Sequence, residues 1–284
     1  QVQKPSEIVH PAIRGVLEWL KIDDGMEILH HGDLPARTGL GSSSSFTVGL
    51  LHALHALRGQ VVSKRTLAEQ AIFVEQQVLK ENVGVQDQIQ SAFGGLNRID
   101  IRPDGSFEVA PVVVPADRLA SLQQHLLLIY TGLSRHASEI AAEQVSKVGT
   151  KTAELRAIRS MVDEAQKILA GHGPLKEFGE LLHESWLLKR TLSSKIAPSF
   201  VNDLYDAARN AGAAGGKLLG AGGGGVEIAG QHQRGDPDRQ KPCPPSRPVR
   251  HQASREPPQE PAGDCPHRVG AGGAHGVRPL ELIA

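Results

Sequence analysis

The sequence predicts an α+β protein with a helix-rich second half. Three observations carry that reading. Apolar residues recur at helical spacing in several separate stretches, most clearly at Leu155, Ile158, Val162, Ala165 and Leu169. Short apolar runs flank the turn Pro103-Asp104-Gly105, the pattern of a β-hairpin. Near the start, an apolar run leads through a glycine-rich turn directly into an apolar helix.

Taken in order, residues 6–20 read as a helix with Ile8, Ile13, Val16 and Leu20 on one side. Residues 26–31 read as a strand. A helix follows over 42–58, with Leu50, Leu54 and Leu57 on one face. Ser63 is placed to cap the next helix, which carries Leu67, Ala71, Val74 and Val78 in register. Strands are expected at 95–101, 107–114 and 126–130, then helices at 135–147, 150–170, 175–193 and about 198–211. The last helix runs into a glycine-rich turn over 212–216 and a strand at 217–219.

Composition narrows the function. Lys+Arg and Asp+Glu balance at 31 each, so no basic excess points to nucleic acid or an anionic membrane as partner. No apolar run has the length of a bilayer span, and the polar start QVQKPSE is not a signal peptide. Cys243 and Cys265 belong to no metal-ligand spacing, and a reduced, cytoplasmic setting is expected. His30-His31 lacks a third ligand and reads as a strand-end pair; His183 reads as a packed or surface helix residue.

Composition also changes abruptly near residue 229. Every Phe, Trp and Tyr precedes it, the last being Tyr205, whereas 10 of the 18 prolines follow it. Such a segment lacks the apolar surface to offset its ordering entropy. Residues 230–284 therefore read as a low-complexity, disordered tail. Either the tail is natural or it is an out-of-frame translation of a GC-rich gene; the second is preferred, because the change falls inside an apparent strand.

The chemistry is expected at the first glycine turn, which runs from Asp33 to Ser45. Its glycines let the backbone turn tightly and approach a ligand. Its serines open a helix, where free N–H groups and the positive dipole end favour a phosphate. No Gly-Lys-Ser/Thr follows, so it is not a Walker loop. A Gly/Ser turn with Ser42 as an ordinary cap is the plainer reading. Four serines behind Gly39-Leu40-Gly41, after Pro35 and before an apolar helix, favour phosphate.

Pro35 with Gly39-Leu40-Gly41-Ser42-Ser43 resembles the second signature of the GHMP kinases, the superfamily of galactokinase, homoserine kinase and mevalonate kinase. The wider stretch DLPARTGLGSSSSFTVGLLHALHAL is most similar to the D-glycero-D-manno-heptose 7-phosphate kinase branch, and similarity continues through ENVGVQDQIQSAFGGLNRI, YTGLSRHASEIAAEQ, LLHESWLLKRTLSSKI and GGKLLGAGGGG. It covers about residues 5–225. The resemblance implies a two-domain GHMP-kinase-like fold, with 1–115 as the N-terminal, ATP-binding domain and 116–229 as the C-terminal domain. It also implies a fold incomplete at both ends. The family's first signature, an Arg or Lys with a glycine-rich segment, has no counterpart before Asp33, and the closing strands are absent after 229.

From spacing alone, Glu75 reads as a solvated helix residue and Asp87 as an N-cap. The resemblance instead implies Asp87 as the catalytic base or hydroxyl-orienting group, with Glu75 and Ser43 as Mg²⁺ ligands. Pro35, Gly39, Leu40, Gly41, Ser42, Ser43 and Ser44 would hold ATP. Gly222, Gly223 and Gly224, in the second glycine run 220–225, would close over the acceptor, and Arg135 would meet its phosphate. Lys189, Arg190 and Lys195 are weaker candidates for that contact and read as surface charges. The implied reaction is ATP- and Mg²⁺-dependent phosphorylation of the anomeric hydroxyl of heptose 7-phosphate to the 1,7-bisphosphate. The alternatives are a fucose- or galactose-type sugar 1-kinase, and a catalytically dead fragment that binds nucleotide. Small-molecule sugar phosphate and ATP are the expected partners; the sequence does not give an oligomeric state.

Overall fold

The computed structural model describes residues 2–32, 39–131, 146–220 and 226–231, all within one compact unit. Helix α1 (Pro11–Leu20) follows a separate 3₁₀ turn, Pro5–Glu7. The single helix expected over 6–20 is split because Pro11 has no N–H and cannot continue a preceding turn, whereas it is suited to start one. Helices α2 (Ser42–Leu57) and α3 (Lys64–Phe73) pack on α1 around Val16, Leu17, Leu51, Leu54, Leu67 and Val74. Ser63 caps α3 as expected, its hydroxyl accepting the Thr66 N–H at 3.0 Å.

Residues 26–31 do not form the expected strand. Met26 and Ile28 pack against the α1–α3 core while Leu29 is 74% exposed, so the period-two alternation is present. Among the described residues, however, no strand pairs with the segment, and alternation without a hydrogen-bonded neighbour is not a sheet.

α3 passes into a π-helical turn, Val74–Val78, and then α4 (Gln86–Phe93). Strands β1 (Asn97–Ile101) and β2 (Phe107–Pro111) form the expected antiparallel hairpin, with Ile99 opposite Val109. At its turn Asp104 accepts the Ser106 N–H at 2.9 Å and Gly105 takes φ 84°. Helix α5 (Ala116–His125), not expected from periodicity, leads into β3 (Leu126–Tyr130). Most of the helix expected at 135–147 lies outside the described residues. Helices α6 (Thr152–Ala170), α7 (Lys176–Leu192) and α8 (Ser199–Asn210) stand where their periodicity puts them.

Strands β4 (Ala213–Leu218) and β5 (Val226–Gln231) complete a three-stranded antiparallel sheet in the order β3-β5-β4. Gly215 and Gly216, expected in a turn, lie inside β4. A Cβ on Gly215 would fall 1.9 Å from the carbonyl oxygen of Gly179 in α7. One on Gly179 would fall 2.7 Å from the Cβ of Ala214. These glycines let helix and strand touch at backbone level; they do not reverse the chain. Around that contact Trp186, Ile196, Val201, Tyr205 and Leu218 form a second core. No helix of the described residues is long and apolar enough to cross a membrane.

Candidate functional site

The first glycine turn reaches α2 through two left-handed residues, Gly39 at φ 76° and Gly41 at φ 67°. A side chain at either position would be strained. Gly41 is the N-cap of α2 and supplies no side-chain cap. The first-turn N–H groups of Ser42, Ser43 and Ser44 therefore have no partner within the helix, and the dipole adds partial positive charge. A helix start of this kind is suited to an anion.

The serines point differently. Ser43 is exposed, while Ser44 is buried and donates its hydroxyl to Glu75 Oε2 at 3.0 Å. Glu75 sits in the π-helical turn and is 1% exposed, so it is not the solvated helix residue its spacing suggested. Gln88 Nε2 donates to the same oxygen at 2.5 Å. Burial pushes the Glu75 carboxyl above its ordinary range, and the hydrogen bonds from Gln88 and Ser44 oppose that rise. Its other oxygen, Oε1, is buried with no partner among the described residues.

Asp87 lies in the first turn of α4, behind the N-cap Val85. The 82–85 loop folds back: Gln76 Nε2 donates to the Val83 carbonyl at 2.9 Å, and the Gln88–Glu75 bond ties α4 to the π turn. Ser45 and Ser91 hydroxyls meet at 3.0 Å and tie α2 to α4 as well. Asp87 is half-buried, makes no hydrogen bond or ion pair with another described residue, and has its pKa raised by burial. A carboxyl moved toward neutrality is a better proton acceptor at neutral pH than a solvated one.

The Glu75 carboxylate, with the Ser44 hydroxyl on Oε2 and no hydrogen bond to Oε1 from another described residue, has the oxygen chemistry that fits a hard divalent cation. Among the described residues no three His, Cys, Asp or Glu side chains cluster.

Of the second glycine run, Gly220 is described, at φ 68°. A Cβ there would lie 3.2 Å from both the Cα and the oxygen of Gly39, so the two glycine segments touch. Pro35, Arg135, Gly222, Gly223 and Gly224 lie outside the described residues. Arg190 donates to Asn202 Oδ1 at 3.0 Å.

Two lysines have lowered pKa values, and one of them departs from its sequence reading. Lys189 is no surface charge: its Nζ donates to the carbonyls of Leu218 at 3.1 Å and Gly220 at 2.7 Å, and burial pulls its pKa down to about 8. Lys217 in β4 is 3% exposed; burial, then the Lys189 charge, bring it to about 7. The signal for Lys189 was present, since Trp186 and Leu192 at i−3 and i+3 put it on the buried face of α7. The Ser44 and Gln88 contacts carried no such signal. A cavity of 230 Å³ lies near the start of α4, with mostly apolar walls that also carry Gln86, Asn97, Arg98, Ser185 and Lys217.

Comparison with known proteins sorts these features. The family model for the GHMP kinases N terminal domain matches residues 7–95, and that for the GHMP kinases C terminal matches 161–229. A D-glycero-alpha-D-manno-heptose 7-phosphate kinase of Campylobacter jejuni is 26% identical over 197 residues, 69% of this chain and 58% of that protein. An L-fucokinase/L-fucose-1-P guanylyltransferase of Bacteroides fragilis is 30% identical over 213 residues, 71% of this chain and 22% of the other. The structure of Methanococcus jannaschii mevalonate kinase superposes with a TM-score of 0.61 at 22% identity, covering 82% of this chain and 71% of that one. The chain thus spans less than two thirds of the length of these two curated relatives.

Proposed function

This chain belongs to the GHMP kinase family, and we propose that it transfers the γ-phosphoryl group of ATP to the anomeric hydroxyl of D-glycero-D-manno-heptose 7-phosphate. The observation that carries the proposal is the convergence of three parts. They are a glycine–serine helix start with no side-chain cap, a buried glutamate and an aspartate on the adjoining helix, the Glu75 Oε1 and the Asp87 carboxyl having no hydrogen bond to another described residue. The heptose-phosphate kinase relative supports the choice of acceptor; the fucokinase at 30% identity keeps a fucose- or galactose-type 1-kinase as the second reading. Residues 1–115 would then form the nucleotide-binding domain and 116–229 the C-terminal domain, at work in the cytoplasm.

The N–H groups of Ser42, Ser43 and Ser44 hold the phosphates of ATP, with Gly39 and Gly41 keeping the backbone close. Glu75, with the Ser44 hydroxyl on its Oε2, and Ser43 would together hold Mg²⁺, which would supply charge neutralisation on the phosphates. Asp87 orients the acceptor hydroxyl and takes its proton. The acceptor oxygen bonds to the γ-phosphorus as the bond to the bridging oxygen breaks, and ADP leaves with that electron pair. Burial of Asp87 favours this step, because a raised pKa lets it accept the proton more readily.

An ADP-release assay on heptose 7-phosphate, galactose, fucose and mevalonate tests the reading, with Asp87→Asn alongside. Turnover is expected to be highest on heptose 7-phosphate. Asp87→Asn is expected to lower kcat about a hundredfold or more with little change in KM for ATP, as for a group acting in the transition state. Equal or greater turnover on an unphosphorylated hexose sinks the acceptor assignment. Near-normal kcat in the variant removes Asp87 from the chemistry.

A further inference from the structure

Helix α7 and strand β4 run side by side in the same sense from their contact at Gly179 and Gly215. From Gly179 to Lys189 the helix climbs about 15 Å. From Gly215 to the end of β4 at Leu218 the strand covers about 10 Å. Lys189 therefore arrives just past the end of β4, where the ladder stops and backbone carbonyls need other donors. Its Nζ meets two of them, on Leu218 and Gly220. Gly220 in turn lies against Gly39, close enough that even a methyl group would press on the Gly39 backbone. One ammonium thus fixes the start of the second glycine run, and that start rests on the first glycine turn.

We propose that Lys189 is a positioning residue for nucleotide binding: held on the carbonyls of Leu218 and Gly220, it sets where the second glycine run leaves β4 against the first. The inference rests on the reading of both glycine segments as phosphate loops. Stability does not account for an ammonium here. A methionine is similar in length and brings no charge to desolvate, and such exchanges are often neutral or stabilising. The cost is tolerable if the loop entry must stand in one place before the nucleotide arrives, since preorganised donors need no rearrangement at binding.

The experiment compares the purified protein with Lys189→Met and Lys189→Arg. It reads the thermal midpoint, KM for MgATP against kcat, and hydrogen–deuterium exchange of the peptides containing Gly39 and Gly220. Lys189→Met is expected to keep or raise the thermal midpoint and to speed exchange in both peptides alone. It should raise KM for MgATP about tenfold, with a smaller change in kcat. Lys189→Arg retains donors and should recover part of each effect; it carries the comparison if the methionine variant does not fold. Unchanged exchange in the two peptides overturns the proposal, whether or not the protein turns over ATP. A fall in midpoint with exchange rising evenly along the chain also overturns it, because Lys189 is then a packing residue. If exchange rises only in the two peptides but the wild-type protein does not bind MgATP, the clamp stands and the phosphate-loop reading falls.

Discussion

Two parts of the molecule bury charge, and they do it with opposite signs. Around α2, the π turn and α4, Glu75 and Asp87 are carboxylates withdrawn from water. Along α7 and β4, Lys189 and Lys217 are ammonium groups withdrawn from water. In each case burial, the largest cause, works against the charged form, so neither pair is explained by stability. The acidic pair lies beside the first glycine segment and Lys189 sits on the start of the second. Stability is given up on both sides of one candidate phosphate site, by two arrangements that share no residue. A stability cost concentrated where a ligand is expected is the mark of a functional site.

The sharpest test of the contrast uses glycine, because the same added methyl group meets opposite surroundings in the two regions. Gly215→Ala places a Cβ 1.9 Å from the Gly179 carbonyl oxygen and forces α7 off β4. We expect the largest loss of stability here, above about 4 kcal/mol, and no cooperative thermal transition. Gly49→Ala in α2 meets nothing within 4 Å at a helical position and is expected to stabilise by about 0.5–1 kcal/mol. Thermal unfolding followed by circular dichroism decides it. A Gly215→Ala protein that unfolds like wild type would mean α7 does not rest on β4.

Gly215 also shows where sequence reasoning runs out. Gly212 to Gly216 looks like a turn because glycine usually serves a bend, and only the α7 contact, thirty-odd residues away in sequence, reveals that it serves packing. Local signals succeed where the cause is local: the Ser63 cap, the hairpin at Asp104-Gly105, the helical registers of α6 and α7. Residues 26–31 fail because a strand is defined by its neighbour, which a one-dimensional pattern cannot supply. For α5, Pro115 and the first-turn Asp117 were legible start signals that apolar periodicity passes over, since Leu122 is its one fully buried residue. At the candidate site, Gly39 and Gly41 are legible as a glycine turn and Asp87 through the family resemblance. Ser44 and Gln88 do not, because their role is a contact with Glu75 from other helices.

The pH dependence of stability separates the two regions next. Glu75 and Asp87 have folded pKa values raised above 4.5 and 3.8, so their contribution is fully present below those values and is lost as pH rises through the folded ones. For the lysines the folded values, about 8 and about 7, fall below 10.5. The unfolded chain then binds more protons, and their contribution to stability grows as pH rises from about 7 toward 10.5. Glu75→Gln should therefore raise the thermal midpoint at pH 8 and flatten the acid limb, leaving the alkaline limb alone. Lys217→Met should raise the midpoint at pH 7 and flatten the alkaline limb only. Thermal unfolding at pH 5, 7, 8 and 9.5 reads both. If both variants alter the same limb, the two regions are electrostatically one.

The smallest effect separates neighbouring serines. Ser43 and Ser44 are adjacent in the phosphate turn, yet one is exposed and the other donates to a buried carboxylate. Ser44→Ala removes one hydrogen bond from the buried Glu75 Oε2 and leaves the one from Gln88. A hydrogen bond to a charged group is worth about 1.5–3 kcal/mol, so the thermal midpoint should fall by several degrees and the Glu75 carboxyl should titrate still higher. Ser43→Ala removes a hydroxyl that is exposed to solvent. Its midpoint should stay within about a degree of wild type, because surface changes away from buried partners are nearly neutral. Its effect should instead appear as a severalfold higher KM for MgATP, as expected of a group that touches only the ligand. The reverse outcome, with Ser43→Ala costing stability and Ser44→Ala costing only nucleotide affinity, would mean that the first turn of α2 is rotated by one residue. The ion-facing hydroxyl would then belong to Ser44, not to Ser43.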